Sequence, residues 1–358
     1  MPIPARTVHA PLDVRVATYT CAKDIPLPVW TAWRRHETAA NIMFPHAEAA
    51  LRREEAGVPP IPGQLWIALS SRSILANGEP STSVDIVLSC TEWAMGTYPV
   101  FIFVNPTSQD AMSPSMLNSR VSMLAAELIS HVPVRRVYSI FAPTRVTKIF
   151  TRIWSNMTGM QIESEPYYSA VFSYATASSV LQRKRHAPAP TGDESRYILR
   201  LAEEADVLAV AALCMGFAST SDPFTLTHEG AVKEASYLIR NRLVWLHEVE
   251  NSTGQRQAAC IVATTRQSDS VSGITKVYTS PEARRQGCAE RLVRHVCDHL
   301  FLREQKKAVV LYVAHSNPGA TKVYHRVGFQ GLSTTEPRPA GVEDWLELGF
   351  QGSELGHW

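Results

Sequence analysis

Residues 284–289, Arg-Arg-Gln-Gly-Cys-Ala, lie between a β-rich run and an amphipathic helix, and this junction constrains the fold more than any other feature. The run before it is 273–281, and the run after it is 290–302, where apolar residues recur at helical spacing. The first N–H groups of a helix have no partner within the helix, and the helix dipole adds partial positive charge there. Gly287 lets the backbone approach a ligand closely, and two arginines precede it. The junction therefore predicts an anion site suited to a pyrophosphate.

The details of this turn narrow the kind of ligand. It lacks the Lys-Ser/Thr pair of a P-loop and the three glycines of a dinucleotide fingerprint. It resembles the Arg/Gln-x-x-Gly-x-Gly/Ala acyl-CoA signature of the GNAT superfamily of N-acetyltransferases. Residues 317–329 resemble a second family segment, Asn-x-x-Ala-x-x-x-Tyr-x-x-x-Gly-Phe, one helix and one strand downstream. The alternative is an ordinary βαβα unit whose glycine only turns the chain. The matching residues are Arg284, Gly287, Ala289, Asn317, Ala320, Tyr324, Gly328 and Phe329.

The resemblance implies that acetyl-CoA is the cosubstrate, and it assigns the contacts. The backbone of Val277, Tyr278 and Thr279 would bond the pantetheine arm and polarise the acyl carbonyl. An N–H aimed at a developing oxyanion is worth roughly 10²–10³ in rate. Asn317 would meet the same arm or the neighbouring backbone. The turn that would hold the pyrophosphate consists of Arg284, Arg285, Gln286, Gly287, Cys288 and Ala289.

Acyl transfer from a thioester to an amine also needs proton transfers. If both substrates are held in line, no covalent enzyme intermediate is required. By resemblance, Tyr324 would protonate the departing thiolate, since a phenol with a pKa of about 10 can share a proton with a thiol. The alternative for Tyr324 is a half-buried aromatic on the predicted helix 318–327.

The general base is the least defined part of this site. Many relatives carry a Glu on the strand before the phosphate turn or one strand earlier, and residues 273–279 contain none. Glu248, on an earlier predicted strand, is the preferred candidate, ahead of His247 and His315. A water chain, or an amine that arrives already neutral, would remove the need for a base.

Two features could suggest other chemistry. Cys288 could be a nucleophile with a lowered pKa at a helix N-terminus, but without an adjacent His/Asp set we interpret it as the small residue of the turn. His295 and His299 lie on one helix face, but the metalloprotease form needs Glu after the first His, and Val296 stands there. We therefore expect partly solvated histidines and no metal.

Composition limits the class of protein. The 358 residues suit two domains, and 45% apolar residues support sizeable cores. The 35 basic and 33 acidic residues nearly balance, which argues against a nucleic-acid partner. No signal segment or membrane-spanning apolar run is visible, and six scattered cysteines indicate reduced thiols. We expect a cytoplasmic protein without a membrane partner, with a nuclear location as the alternative. The oligomeric state is not readable.

The sequence also suggests that the chain consists of two halves with the same order of elements. A stretch rich in Pro, Gly and charge, 182–196, predicts a linker between domains at 1–181 and 197–358. After the linker the predicted element order is βααβββαβαβ, the GNAT order, and the first half repeats it. The predicted fold class is therefore α/β (α+β), with tandem GNAT-like domains, each a mixed, mostly antiparallel sheet flanked by helices. An unrelated α/β first domain is the alternative. The last elements predicted for the first half are 159–163 and 168–174.

The first half lacks the phosphate turn. At the corresponding place, residues 107–115 contain no glycine and no arginine, and they include an acidic residue that would repel phosphate. If this half has the GNAT fold, we expect a degenerate copy that covers the substrate cleft or stabilises the second half.

These patterns together predict an acyl-CoA-dependent N-acetyltransferase. It would transfer an acetyl group to a primary amine, preferably of a small-molecule or amino-acid-like substrate, by direct attack in a ternary complex. A protein N-acetyltransferase is one alternative. The other is a non-catalytic acyl-CoA-binding regulatory protein, suggested by the missing strand carboxylate and the degenerate first half.

Overall fold

The chain folds into two compact units. The first comprises residues 1–163 and 348–356, and the second comprises 164–347 and 357–358. The predicted linker 182–196 lies, apart from Gln182, outside the described residues, as does its basic cluster at 183–186. The structure is a computed structural model that describes residues 13–74, 79–93, 95–109, 112–182, 197–250 and 254–357.

The compact units differ from the domain boundaries predicted from the sequence. The strand at Tyr168–Ala175 precedes the predicted linker but belongs to the second unit, because it pairs antiparallel with the strand Ala308–Ala314. Residues 348–356 belong to the first unit, where Phe350 is buried in the core and its N–H donates to the Tyr138 carbonyl at 2.9 Å. Spatial contacts define the units, whereas the sequence offers only chain order. The division at the linker stays a prediction.

The main sheet of the first unit has the strand order β1-β2-β3-β6-β7. Its pairs are antiparallel except β6 with β7, which is parallel. Alternate residues of a strand point to opposite faces, and one face of β2 packs with α5 and α6 in the core. The elements are β1 (Asp13–Tyr19), α1 (Leu27–Arg35), α2 (Glu37–Ala40), α3 (Phe44–Glu55), β2 (Leu65–Ile74), β3 (Pro80–Cys90), β4 (Glu92–Trp93), β5 (Gly96–Thr97), β6 (Val100–Val104), α4 (Pro106–Gln109), α5 (Pro114–Ile129), β7 (Ser139–Pro143) and α6 (Thr144–Thr158).

The second unit has two sets of strands. One has the order β14-β11-β10-β9 and is antiparallel; the other has the order β16-β8-β15-β13-β12, in which only β13 with β15 is parallel. In β10, Val244 and Leu246 pack with α8 and α9, while Trp245 packs with α10. The elements are β8 (Tyr168–Ala175), α7 (Ala177–Gln182), β9 (Tyr197–Leu201), α8 (Val207–Ala218), α9 (His228–Arg240), β10 (Val244–Glu250), β11 (Arg256–Ala263), β12 (Arg266–Gln267), β13 (Val271–Gly273), β14 (Lys276–Thr279), α10 (Cys288–Leu302), β15 (Ala308–Ala314), α11 (Pro318–Val327) and β16 (Glu343–Gly349), whose last two residues belong to the first unit.

Both units contain the same central arrangement. Two strands with one long helix between them in the chain pair in parallel: β6 and β7 with α5 in one unit, β13 and β15 with α10 in the other. The predicted class, α/β with mixed, mostly antiparallel sheets flanked by helices, is confirmed. The strand expected at 159–163 is wrong, because only an isolated bridge at Ile162 forms there after the left-handed Gly159 ends α6. Strand β1 was not predicted.

A glycine of α8 makes room for the ring of Tyr278. A Cβ built on Gly216 would lie 2.5 Å from Cζ and 2.6 Å from Oη of Tyr278, far inside van der Waals contact. A side chain at position 216 would therefore force the Tyr278 ring to move away from α8.

We predict that Gly216→Ala lowers the free energy of unfolding by about 1–2 kcal/mol. Alanine favours a helix over glycine by up to about 1 kcal/mol, but overpacking against the Tyr278 ring typically costs more. Urea denaturation measures the change. Gly319→Ala is the matched control, because its Cβ would meet its nearest neighbour at an ordinary 3.6 Å. A Gly216→Ala protein at least as stable as the wild type would contradict the packing argument.

Candidate active site

The strand before the turn changes partners half-way along its length. Residues of β13 pair in parallel with β15, and the Ile274 N–H still donates to the Val310 carbonyl at 2.8 Å. The next residue, Thr275, donates instead to Ala263 on β11 at 2.9 Å, and β14 continues along β11. In the described part of the chain β14 is therefore an edge strand. Its outer main-chain groups face no further strand among the described residues, and of the predicted residues Val277–Thr279 only the last has a side chain bonded to its carbonyl, since Arg284 Nε donates to Thr279 O at 3.4 Å.

The turn that follows β14 has two residues with left-handed backbone. Arg285 has φ of 62° and Gly287 has φ of 75°, and α10 begins directly after Gly287 with no side chain capping it. Left-handed backbone at a non-glycine residue costs roughly 1–2 kcal/mol, so the conformation of Arg285 must be held by its surroundings. Successive N–H groups in such a turn form a concave anion site, and the dipole of α10 adds positive charge.

The side chains around this turn leave it accessible. Arg284, Arg285 and Gln286 are exposed, and Arg284 lies over the Tyr278 ring with 5.8 Å between its Cζ and the ring centroid. Glu290, in the first turn of α10, is buried, but Arg326 lies 3.4 Å from its carboxylate and balances the charge. The structure thus brings the six predicted residues 284–289 together at one helix N-terminus.

The corresponding helix of the first unit begins differently. Its N-cap is Ser113, whose hydroxyl accepts the Met116 N–H at 3.2 Å, and its first residue is Pro114, which has no N–H. Residues 110–111 of the predicted degenerate stretch are not described. Within the described residues, the start of α5 offers fewer free donors to an anion than the start of α10.

Asn317 and Tyr324 belong to α11. The Asn317 carboxamide oxygen caps this helix by accepting the Ala320 N–H at 3.0 Å, which explains the spacing of those two residues in the sequence. Tyr324 is buried, with its ring 5.7 Å from that of Phe329. Burial raises the pKa of the Tyr324 phenol well above its ordinary value, with smaller contributions from Tyr168 and Cys260. The phenol is therefore protonated at neutral pH, but the raised pKa makes it a weaker acid toward a thiolate than the ordinary phenol on which the prediction was based. Its role as the acid stays a prediction.

Glu248 is engaged in an ion-pair network. Arg200 donates to both of its carboxylate oxygens, at 2.7 and 3.0 Å, and also donates to both oxygens of Asp206, at 2.6 and 2.9 Å. Hydrogen bonds from Arg200 lower the pKa of Asp206, and the two carboxylates raise the pKa of Arg200. To accept a proton from a substrate, Glu248 would have to give up part of this bidentate contact. Its role as a base stays a prediction.

His247 and Arg291 form a contact that the sequence did not reveal. Arg291, on α10, donates from Nε to His247 Nε2 at 3.2 Å and from Nη2 to the Gln286 carbonyl at 2.6 Å. The His247 ring is buried and stacks on Tyr197, with centroids 5.2 Å apart. Burial, and secondarily the charge of Arg291, lower the pKa of His247 to about 4. Arg291 and His247 are 44 positions apart, and no local pattern predicts such a contact.

Two further buried groups lie beside the turn and β14. Lys276 pairs with Glu234 of α9 at 3.0 Å, with its ammonium 4.8 Å from the centroid of the Phe217 ring. Cys288 is buried, and burial raises the pKa of its thiol. A raised pKa disfavours the thiolate, which supports the interpretation of Cys288 as a small turn residue. All six cysteines are free.

Comparison with known proteins assigns part of the second unit to a family. Residues 206–329 match the model of the Acetyltransferase (GNAT) family. These residues form a GNAT acetyltransferase domain. The matched residues include β14, the turn, α10 and Tyr324. They include none of residues 1–163, the main segment of the first unit. A search of curated proteins finds no match.

Solved structures of similar proteins include chains of comparable length. A tandem GNAT protein from the clavulanic acid biosynthesis pathway is 12% identical, with 96% of this chain and 100% of that chain covered and a TM-score of 0.48. A GCN5-related N-acetyltransferase from Sphaerobacter thermophilus is 15% identical, with coverages of 94% and 95% and a TM-score of 0.48.

Among the described residues, no helix has the length and apolarity needed to cross a membrane. No group of three or more His, Cys, Asp or Glu side chains among them is placed to hold a metal ion.

We predict that the GNAT domain loses stability as pH falls from about 6.5 to about 4, in part through His247. The folded state keeps this imidazole neutral, while the unfolded chain binds a proton near pH 6.5, so protons favour unfolding across that window. The loss attributable to His247 should be roughly 2 kcal/mol. Urea denaturation at pH 7.0, 5.5 and 4.5 measures it.

The control for this experiment is a glutamine at the same position. His247→Gln keeps an acceptor for Arg291 but does not titrate, so its stability should fall less with acid than that of the wild type. Identical pH dependence in the wild type and His247→Gln would show that His247 is not responsible.

Proposed function

We propose that the GNAT domain transfers an acetyl group from acetyl-CoA to a primary amine by direct attack in a ternary complex. The observation that carries the proposal is the uncapped start of α10, preceded by two left-handed residues and placed at the end of an edge strand. The turn offers N–H donors for the diphosphate. The outer edge of β14 offers backbone groups for the amide-bearing pantetheine arm.

The chemistry then follows from how these groups act in sequence. A backbone N–H of β14 would stabilise the oxygen of the acyl carbonyl as the amine nitrogen attacks the carbonyl carbon. When the carbon–sulfur bond breaks, Tyr324 would give its proton to the thiolate. The amine must lose a proton to the solvent or to a base, for which Glu248 remains the candidate. Proximity of the two substrates supplies much of the acceleration.

A small-molecule or amino-acid-like amine is the acceptor we propose. The nearly even balance of 35 basic and 33 acidic residues gives no indication of an acidic surface for docking a basic protein tail. A protein acceptor ranks second for that reason. We further propose that the first unit is a GNAT-like copy without a phosphate site, because Ser113 and Pro114 occupy the start of its helix. A cytoplasmic location stays a prediction.

One observation favours a second candidate function, that of a non-catalytic acyl-CoA-binding regulatory protein. Glu248 is held by Arg200 through both oxygens, and residues 273–279 contain no carboxylate. Thermal shift with acetyl-CoA tests binding for both candidates. Release of free thiol in the presence of a panel of amines separates them, since a pure binding protein is stabilised but releases no thiol.

We predict that Arg284→Glu combined with Gly287→Glu abolishes acetyl-CoA binding and leaves the fold intact. The change places two negative charges in the anion site and a side chain where the backbone must approach the phosphates. Isothermal calorimetry should show at least a hundredfold loss of affinity, with an unchanged far-ultraviolet spectrum.

The chain contains a matched control for this variant. Arg256→Glu with Gly254→Glu makes the same changes at the β10–β11 turn, where Gly254 also has a positive φ of 79°. It should bind acetyl-CoA like the wild type. Undiminished binding by the variant at 284 and 287 would show that the diphosphate lies elsewhere.

We also predict that Tyr324→Phe lowers kcat at least tenfold while KM for acetyl-CoA changes less than twofold. The phenol would act only as the thiolate leaves, so its removal affects the transition state and not the bound ground state. Steady-state thiol release measures both constants. Tyr174→Phe, which removes a hydroxyl bonded to the Ala340 carbonyl, is the control. An unchanged kcat in Tyr324→Phe removes this residue from the mechanism.

A further inference from the structure

We propose that Arg291 is a positioning residue for the phosphate turn: it holds the peptide between Gln286 and Gly287 so that the Gly287 N–H faces the diphosphate. The inference rests on the proposed function, because it assumes that acetyl-CoA binds at this turn. It goes beyond that function in assigning the shape of the turn to a side chain outside it.

Arg291 fixes the orientation of one peptide in the turn. Arg291 donates from Nη2 to the Gln286 carbonyl at 2.6 Å. A trans peptide is planar, and its C=O and N–H point in opposite directions. When Arg291 fixes the carbonyl, it also directs the Gly287 N–H away from the guanidinium. Gly287 is the N-cap residue directly before α10, so this N–H belongs to the set of donors offered to an anion.

The Arg291 side chain is itself held in place. Its Nε donates to His247 Nε2 at 3.2 Å, and its Cζ lies 4.8 Å from the centroid of the Tyr197 ring. Tyr197 and His247 stack with an interplanar angle of 22°, and His247 has no exposed surface. One guanidinium therefore makes hydrogen bonds in fixed directions to β10 and to the turn, where its Nη2 also donates to Cys288 Sγ at 3.8 Å. A rigid fork of this kind orients a peptide in a way that a flexible ammonium does not.

Arg291 could favour CoA either by positioning the turn or by its positive charge alone. Arg291 carries a positive charge near a site for a dianion, and a general electrostatic attraction would also favour CoA. Lysine keeps that charge but cannot reproduce both directed contacts from a single planar group. The two explanations therefore predict opposite results for Arg291→Lys. A charge effect predicts that lysine preserves affinity, and positioning predicts that it does not.

The test compares Arg291→Lys and Arg291→Met in the full chain, with CoA as the probe in calorimetry. Both variants should raise Kd at least tenfold. They should also lower, by at least tenfold, the ratio of kcat/KM for acetyl-CoA to kcat/KM for acetylpantetheine, which has no diphosphate. A merely structural role would lower both kcat/KM values together and leave this ratio unchanged. Arg303→Met, an exposed arginine at the other end of α10, is the control and should change neither quantity.

A second pair of variants keeps the inference testable if Arg291 proves essential for folding. His247→Gln retains an acceptor for the Arg291 Nε and should bind CoA within about threefold of the wild type. His247→Leu removes the acceptor and should weaken binding by at least fivefold. Equal affinities of these two variants for CoA would show that the hydrogen bond to His247 does not hold Arg291 in place.

The outcomes also distinguish this inference from the proposed function. If the wild type binds CoA and Arg291→Lys binds it equally well, the positioning role is wrong and the CoA site stands. If the wild type itself does not bind CoA, both are wrong. If Arg291→Met keeps the wild-type ratio of kcat/KM for acetyl-CoA to kcat/KM for acetylpantetheine, Arg291 does not act on binding of the diphosphate.

Discussion

The site depends on a single change of hydrogen-bond partner, where the chain leaves β15 after Ile274 and joins β11 at Thr275. Two parallel strands that remained paired would satisfy each other's main-chain groups and offer nothing to a ligand. Because they separate, β14 becomes an edge within the described residues, and it ends at the start of α10. The backbone itself thus supplies both a strand-like surface and a cluster of N–H groups, and the side chains act mainly to hold that backbone in place.

Several polar contacts serve this holding role. Arg200 joins Glu248 to Asp206, Lys276 pairs with Glu234 at the start of β14, and Arg291 joins β10 to the turn. Buried ion pairs contribute little net stability compared with apolar packing, but removing one partner is costly, so they fix an arrangement more than they strengthen it. Apolar cores on both faces of β10 supply the bulk of the stabilisation, and these directed contacts determine the geometry.

The sequence predicted most of the local structure and little of the pairing. The turn at 284–289, the helix after it and the strand 308–314 follow from periodicity and turn chemistry, which act over a few residues. Periodicity also suggested one strand ending at Thr279, where the structure has β13 and β14, because it does not report which neighbour a strand bonds to. Glu248 looked available as a base because Arg200 is 48 positions away. For the same reason, the assignment of Tyr168–Ala175 to the second unit was not visible.

The capped start of α5 has a consequence for how a second coenzyme site could arise in this chain. Introducing the signature glycine and arginine into residues 107–115 would not be sufficient, because Ser113 already consumes one donor and Pro114 lacks another. If Arg291 positions the turn as proposed, a working graft would also need a guanidinium placed to hold the carbonyl before the glycine. The short motif alone would therefore not create a coenzyme site, because the N–H groups at the start of the helix must also be free.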